Sequence, residues 1–218
     1  MALISSSVTR CRPGRRDDFM AIALEGMKLF ERHGARHPRL LAATTAGELS
    51  DTYVLMNEFE SAERYGRFVD ELYRDEEMES LLARMNGPES PLDIESRSLA
   101  TDIPLDRSGP STHGSVIEHY VSRLIPGRFD RCQEVTARAF QFLERHGATN
   151  CRLLQLSQAG AATDALVSSW EFEDMRTWGA ATDAWGTDPV GQQIVSILVG
   201  SDSPVTMVSS GIHRDLHM

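Results

Sequence analysis

Apolar and polar residues alternate over a short stretch from Ile4 to Cys11, and again from Val116 to Ile125, at the two-residue period of a strand. Pro13-Gly14 and Pro126-Gly127 break each stretch, and the period then changes. Phe19, Ile22, Ala23, Gly26, Leu29 and Phe30 recur at helical spacing, as do Cys132, Val135, Thr136, Ala139, Phe142 and Leu143. Asp17 and Asp130 stand at the helix entries, where a carboxylate caps free N–H groups and meets the positive end of the helix. His33-Gly34 and His146-Gly147 close the helices, with glycine free to take the left-handed conformation. A second strand is predicted at Arg39–Thr44 and Arg152–Ser157, and a third at Tyr53–Phe59 and Leu166–Phe172, with turns at Ala46-Gly47 and Ala159-Gly160 between them. A second helical region runs from Ser61 to about Met85 and from Asp174 to about Val199. It is interrupted near Asp75 and at Asp188-Pro189, because proline disfavours helix in the residue before it. Last strands fall at Leu92–Leu99 and Val205–Ile212.

The element order is β-α-β-β-α-β, written twice. The two copies align at an offset of 113 residues without a gap from Ile4/Ile117 to Ser96/Ser209, with roughly three positions in ten identical. Glu31-Arg32-His33-Gly34-Ala35 returns as Glu144-Arg145-His146-Gly147-Ala148, and Glu58-Phe59-Glu60 as Glu171-Phe172-Glu173. Such an internal repeat is read as a gene duplication and governs the fold. Each copy is a split βαβ, ferredoxin-like unit, so the fold class is α+β. A sheet with both helices on one side leaves its other face apolar, so the two four-stranded antiparallel sheets are expected to pack face to face as a barrel within one chain. The expected division is 1–105 for the first half, 106–114 for a turn-rich linker and 115–218 for the second half.

Composition narrows the function. The 218 residues are 41% hydrophobic and 25% charged, as in an ordinary globular chain. A net charge of −10 argues against nucleic acid and anionic membranes as partners. Neither a membrane-length apolar run nor a secretory leader is read. Three cysteines, Cys11, Cys132 and Cys151, do not match between copies, so no disulfide framework is expected and a cytoplasmic setting is the default. One lysine among 22 basic residues suggests a GC-rich bacterial source.

Two units with Pro-Gly after the first strand, a helix ending in His-Gly-Ala and Glu-Phe-Glu closing the third strand resemble the dimeric α/β-barrel superfamily, in its NIPSNAP-like form. The resemblance implies two ferredoxin-like halves fused into one barrel, either as a monomeric pseudo-dimer or as a homodimer of it. That superfamily holds cofactor-independent oxygenases, isomerases, cyclases and haem enzymes. The likeness therefore implies a small-molecule protein without choosing its chemistry, and fold analogy alone cannot choose.

Among repeated residues, His33 and His146 suit helix ends more than catalysis. Taking strands one and three as parallel neighbours brings Arg10/Arg123, Arg39/Arg152 and Glu58/Glu171 to one sheet edge, where they read chiefly as an ion-pair cluster. Metal-ligand spacings and Cys-x-x-Cys-His are absent, so no metal and no cofactor is expected. Haem on one of His119, His146 or His213 is the lesser alternative. Differences between copies are more informative. The first copy (1–108) carries 34 charged side chains and the second 20. Trp170, Trp178 and Trp185 stand in the second copy where the first has Asn57, Tyr65 and Leu72, and His119 and Tyr120 replace Ser6 and Ser7. A helix–sheet cleft walled by aromatics with a few polar groups is how small-molecule sites are built, although tryptophans at helical spacing equally fill a core. The expectation is a site in the second half for an apolar or aromatic oxygenated compound. His119 would be the acid–base group, Tyr120 a donor, and Trp170, Trp178 and Trp185 the walls, with Asn57 and Tyr65 as the weaker counterpart. A non-catalytic ligand- or protein-binding module is the alternative.

Overall fold

A computed structural model describes residues 2–47, 50–106 and 109–216. The first half runs β1 (Leu3–Cys11), α1 (Arg16–Arg32), β2 (Arg36–Thr45), β3 (Thr52–Phe59), α2 (Ala62–Leu72), α3 (Glu76–Asn86) and β4 (Leu92–Asp102). The second repeats it as β5 (Val116–Leu124), α4 (Phe129–Arg145), β6 (Thr149–Gln158), β7 (Leu166–Phe172), α5 (Met175–Thr187), α6 (Pro189–Val199) and β8 (Val205–Asp215). Of the linker expected at 106–114, Arg107 and Ser108 lie outside the described residues.

The helix breaks fall where the sequence puts them. The Asp75 carboxylate accepts from the Glu77 and Met78 N–H groups and starts α3, and Asp188 accepts from Val190 N–H with Pro189 in the first turn of α6. The starts of α1 and α4 differ from expectation. Asp17 and Asp130 sit inside the first turn, and neither helix has a side-chain hydrogen bond at its cap residue, Arg15 or Arg128. The carboxylates there act on the helix dipole alone.

The eight strands close into one barrel in the order β1-β3-β2-β8-β5-β7-β6-β4. Within each half the order is that of a ferredoxin-like unit, and the halves join edge to edge through β2–β8 and β4–β6. The sheets thus share hydrogen bonds along both seams as well as facing each other across the barrel. Ile4, Ala100 and Leu154 fill the interior with Met56, Leu156 and Val167. The helices pack outside, over one apolar cluster per half.

Strands β1 and β3 are antiparallel, with Leu3 opposite Phe59 and Arg10 opposite Thr52, which corrects the parallel reading. The β1–α1–β2 crossover makes β1 and β2 the parallel pair, and β3 runs back between them. The single-edge cluster therefore does not form. Arg10 pairs with Glu95 at one end of the barrel, while Arg39 and Arg152 lie at the other. Arg39 reaches across a seam to Glu171 at 2.7 Å and Asp215 at 2.6 Å. Arg152 does the same to Glu58 and, at 2.6 Å, Asp102. All three acceptor and donor positions are related by the 113-residue offset, so the seam is self-complementary, as a two-fold interface between separate subunits would be.

One seam carries an extra clamp. Glu171 also accepts from the Gly114 N–H and the Asn150 amide, each at 2.7 Å. Gly114 is pressed against β7 so closely that a Cβ there would lie 2.3 Å from the Phe172 carbonyl oxygen, so only glycine fits.

Candidate functional site

Strand alternation sorts the residues singled out in the second half. On β5, Glu118 and Tyr120 face the helices, so His119 between them points into the barrel. There its ring lies 5.0 Å from that of His213, with Gly211 leaving room between strands: a Cβ at Gly211 would stand 2.9 Å from His119 Cε1 and 3.3 Å from His213 Cε1. His119 and Tyr120 are thus on opposite faces of the sheet and share no pocket.

On the helix side, Tyr120, Trp170 and Trp178 converge on Glu118. The Trp170 indole N–H donates to one carboxylate oxygen at 2.8 Å and Trp178 to the same oxygen at 3.1 Å. The Tyr120 hydroxyl donates to the other at 3.2 Å while its ring stacks on Trp170. Burial raises the Glu118 pKa, with the three donors opposing it, and burial together with the Glu118 charge raises that of Tyr120. Trp185 is apart from this cluster and packs on Phe142, ring centroids 4.6 Å apart. The aromatic residues of the second half occupy its helix–sheet space, and Glu118 accepts from the polar atoms of Tyr120, Trp170 and Trp178.

The first half is built from smaller residues at the same places. Ser5 stands where the second half has Glu118, Ser7 where it has Tyr120, Asn57 where it has Trp170 and Tyr65 where it has Trp178. The result is a cavity of about 190 Å³ between the sheet and α1–α3. Its wall is mainly apolar, with Phe19, Leu55, Phe68 and Leu81 among the lining residues, and its few polar groups include Ser5, Ser7, Asn57 and Tyr65. Asn57 is 5% exposed and its Oδ1 has no hydrogen-bond partner among the described residues. Its counterpart, the Trp170 N–H, has Glu118. A buried acceptor left unpaired costs about 1–3 kcal/mol, so this atom marks a place where a donor belongs.

Outside this cavity lies an open cleft of about 500 Å³. Ser5, Tyr65 and Arg97 line both spaces and so mark the passage between them. The outer wall comes from the other half, through Ser157, Gln158, Gly160 and Thr163. A bulge admits Arg97: Val8 pairs with Ser96 and Thr9 with Ile94, leaving Glu95 as the extra residue, so Ile94 and Arg97 both border the cavity. Burial lifts the Tyr65 pKa, Tyr73 adds to this, and the Arg97 charge opposes it.

Of the residues singled out from sequence, Asn57 and Tyr65 meet in this cavity. Trp170, Trp178 and Tyr120 meet around Glu118 in the other half, and His119 and Trp185 join neither group. Sequence reasoning passed over Ser5, Ser7 and Arg97. The signal for them was in the same comparison of copies, read for what the first half lacks: small side chains inside, and arginine where the second half has Ser210.

No group of three or more His, Cys, Asp or Glu is placed to hold a metal ion among the described residues. Haem does not fit the residues present. His119 and His213 are inside the barrel, and His146 rests its ring on Phe142 at the end of α4. Among the described residues no histidine lines the first-half cavity, whose volume is below the ~300 Å³ at which pockets for drug-sized molecules begin.

No protein-family model matches the chain, and comparison with curated proteins gives no match. Solved structures do match over nearly the whole length. A provisionally assigned monooxygenase from Fusobacterium nucleatum has a TM-score of 0.61 at 8% identity, covering 99% of this chain and 92% of its own. An anthrone oxidase-like protein has 0.60 at 14%, covering 99% and 91%. A haem-binding protein from Thermus thermophilus has 0.56 at 10%, again covering 99% and 91%. The chain has the dimeric α/β-barrel fold. At these identities the likeness is one of fold, and function rests on the residues of this barrel. No helix among the described residues is long and apolar enough to cross a membrane.

Proposed function

We propose that this barrel binds a small, largely apolar, oxygenated molecule of one or two rings in its first-half cavity. The Asn57 amide oxygen would accept a hydrogen bond from the ligand. The observation that carries this reading is the unpaired Asn57 Oδ1, held 5% exposed in an otherwise apolar wall. Size agrees, since a dry cavity of about 150 Å³ accommodates benzene and this one is about 190 Å³. Among the described residues the lining includes no carboxylate, imidazole or thiol, so a general base such as His119 is no part of the reading. The groups available are hydroxyls, an amide and a guanidinium. They suit binding, or stabilisation of a substrate that ionises readily, as cofactor-independent oxidation or isomerisation would require. The names of the anthrone oxidase-like and monooxygenase neighbours are compatible with that second step. The NIPSNAP-like resemblance of the repeated motifs belongs to this reading as well.

Calorimetric titration with 2-naphthol and naphthalene tests it. Both should bind, 2-naphthol more tightly. Asn57→Leu should weaken 2-naphthol about tenfold, leave naphthalene within about twofold, and keep or raise stability because an unpaired buried acceptor is removed. An unchanged 2-naphthol affinity in Asn57→Leu would overturn the assignment.

A further inference from the structure

Arg97 gives the ligand a charge. Along β4, Asp93 takes Arg12 as its partner at 2.8 Å and Glu95 takes Arg10 at 2.7 Å. Arg97, the next charged residue, has neither an ion pair nor a side-chain hydrogen bond among the described residues, although the chain holds 32 acidic side chains. It lies where the inner cavity opens into the outer cleft, beside Ser5 and Tyr65. The equivalent position in the filled half is Ser210. The half that keeps a cavity is therefore also the half that keeps a cation at its mouth.

We propose that the ligand is a carboxylate: a largely apolar ring body, carrying the donor that meets Asn57, seated in the inner cavity, with its anionic group in the outer cleft on the Arg97 guanidinium. Arginine presents two parallel N–H groups matched to a carboxylate, and the passage leaves them free for one. Gln158, an exposed amide of the second half, lines the same cleft, so the head group is read by both halves while the body is held by one. The inner cavity's apolar wall excludes the charge, which fixes the direction of entry, ring first. This inference rests on the cavity reading above and adds the chemical class of the ligand.

The test compares 2-naphthoate with 2-naphthamide, which share the ring and differ in charge, by calorimetry on the full chain at about pH 7.5, with 2-naphthol as the cavity control. The naphthoate should bind about tenfold or more tightly than the amide, and raising NaCl to about 0.5 M should narrow the gap. Arg97→Gln should erase the preference by weakening the naphthoate alone, and Arg97→Lys should retain part of it. Arg97 is exposed, so both variants should melt with the parent. Equal binding of naphthoate and naphthamide to the parent overturns the carboxylate and leaves the cavity reading standing. So does a preference that survives Arg97→Gln. If none of the three naphthalenes binds, both fail together.

Discussion

Acidification from about pH 7 to about 4.5 should destabilise this protein through the two histidines inside its barrel. Burial pulls His119 and His213 from the ordinary 6.5 down to about 4, and at His213 the His119 charge adds to it. The folded state keeps both rings neutral, whereas the unfolded chain protonates them below about 6.5. Stability is therefore complete above about pH 6.5 and is lost as the pH falls towards about 4. The interval from 6.5 to about 4 is worth about 3 kcal/mol for one ring. His119 keeps some exposure, which screens its share, so the pair accounts for about 5 kcal/mol rather than twice the single value. That is comparable with the whole stability of an ordinary domain, ~5–15 kcal/mol.

Other groups leave this window nearly clean. The Glu171 pKa is opposed by burial but held down to about 2 by His113, Arg39 and Asn150, and that of Asp75 is held lower still by His33 and Arg32, so both act below about pH 4.5. Glu118, raised by burial, works in the opposite direction. Urea unfolding followed by circular dichroism at several pH values between about 7.5 and about 4.5 would measure the effect, in the parent and in His119→Gln/His213→Gln. The parent's slope should approach the two-proton value of about 2.7 kcal/mol per pH unit near pH ~5, and the double variant should lose most of it. Parallel pH dependences in the two proteins would refute the assignment.

Two further outcomes follow from the seam and the aromatic cluster. Arg39→Leu leaves Glu171 and Asp215 buried without their guanidinium and should cost about 3–5 kcal/mol in urea unfolding at neutral pH, far more than removal of the exposed Arg12–Asp93 pair. Trp178→Phe removes one of three donors to Glu118 and should cost about 1 kcal/mol while leaving 2-naphthol affinity unchanged, which separates the filled half from the open one.

Much of the architecture was legible because it depends on local signals that occur twice. Helix ends at His33-Gly34 and His146-Gly147, and breaks at Asp75 and Asp188-Pro189, are set by backbone chemistry within a few residues. Strand direction was not legible that way. Whether β3 runs with or against β1 is decided by the crossover, and one wrong direction sent Arg10 to the wrong end of the barrel. The candidate site was less legible, for a different reason. Comparison of the copies put the tryptophans first and Asn57 and Tyr65 second, whereas the packing sets a cavity beside Asn57 and Tyr65 and fills the equivalent space of the other half with Trp170 and Trp178. A large side chain between helix and sheet takes up the space a ligand would need. The unpaired Asn57 oxygen has no sequence signature, because it is defined by what the surrounding side chains fail to supply.

That inversion follows from what an internal cavity costs. At ~24 cal/mol per Å³, a void of about 190 Å³ represents about 4–5 kcal/mol of lost packing. An interior left open in both halves would incur that loss twice, approaching the stability of a whole domain. Two identical chains joined across the same seams would have no alternative, because every residue appears on both sides. A single chain can separate the roles. In the second half Glu118, Tyr120, Trp170 and Trp178 close the space with aromatic packing and three hydrogen bonds to one carboxylate. Ser5, Ser7 and Asn57 hold it open in the first. The seam pairs Arg39–Glu171 and Arg152–Glu58 are related by the same offset, so the halves differ in their layers while the contact between them is self-complementary. The filled half is thus the stabilising partner of the open one, and a ligand that occupies the cavity would restore to the first half part of the packing the second already has.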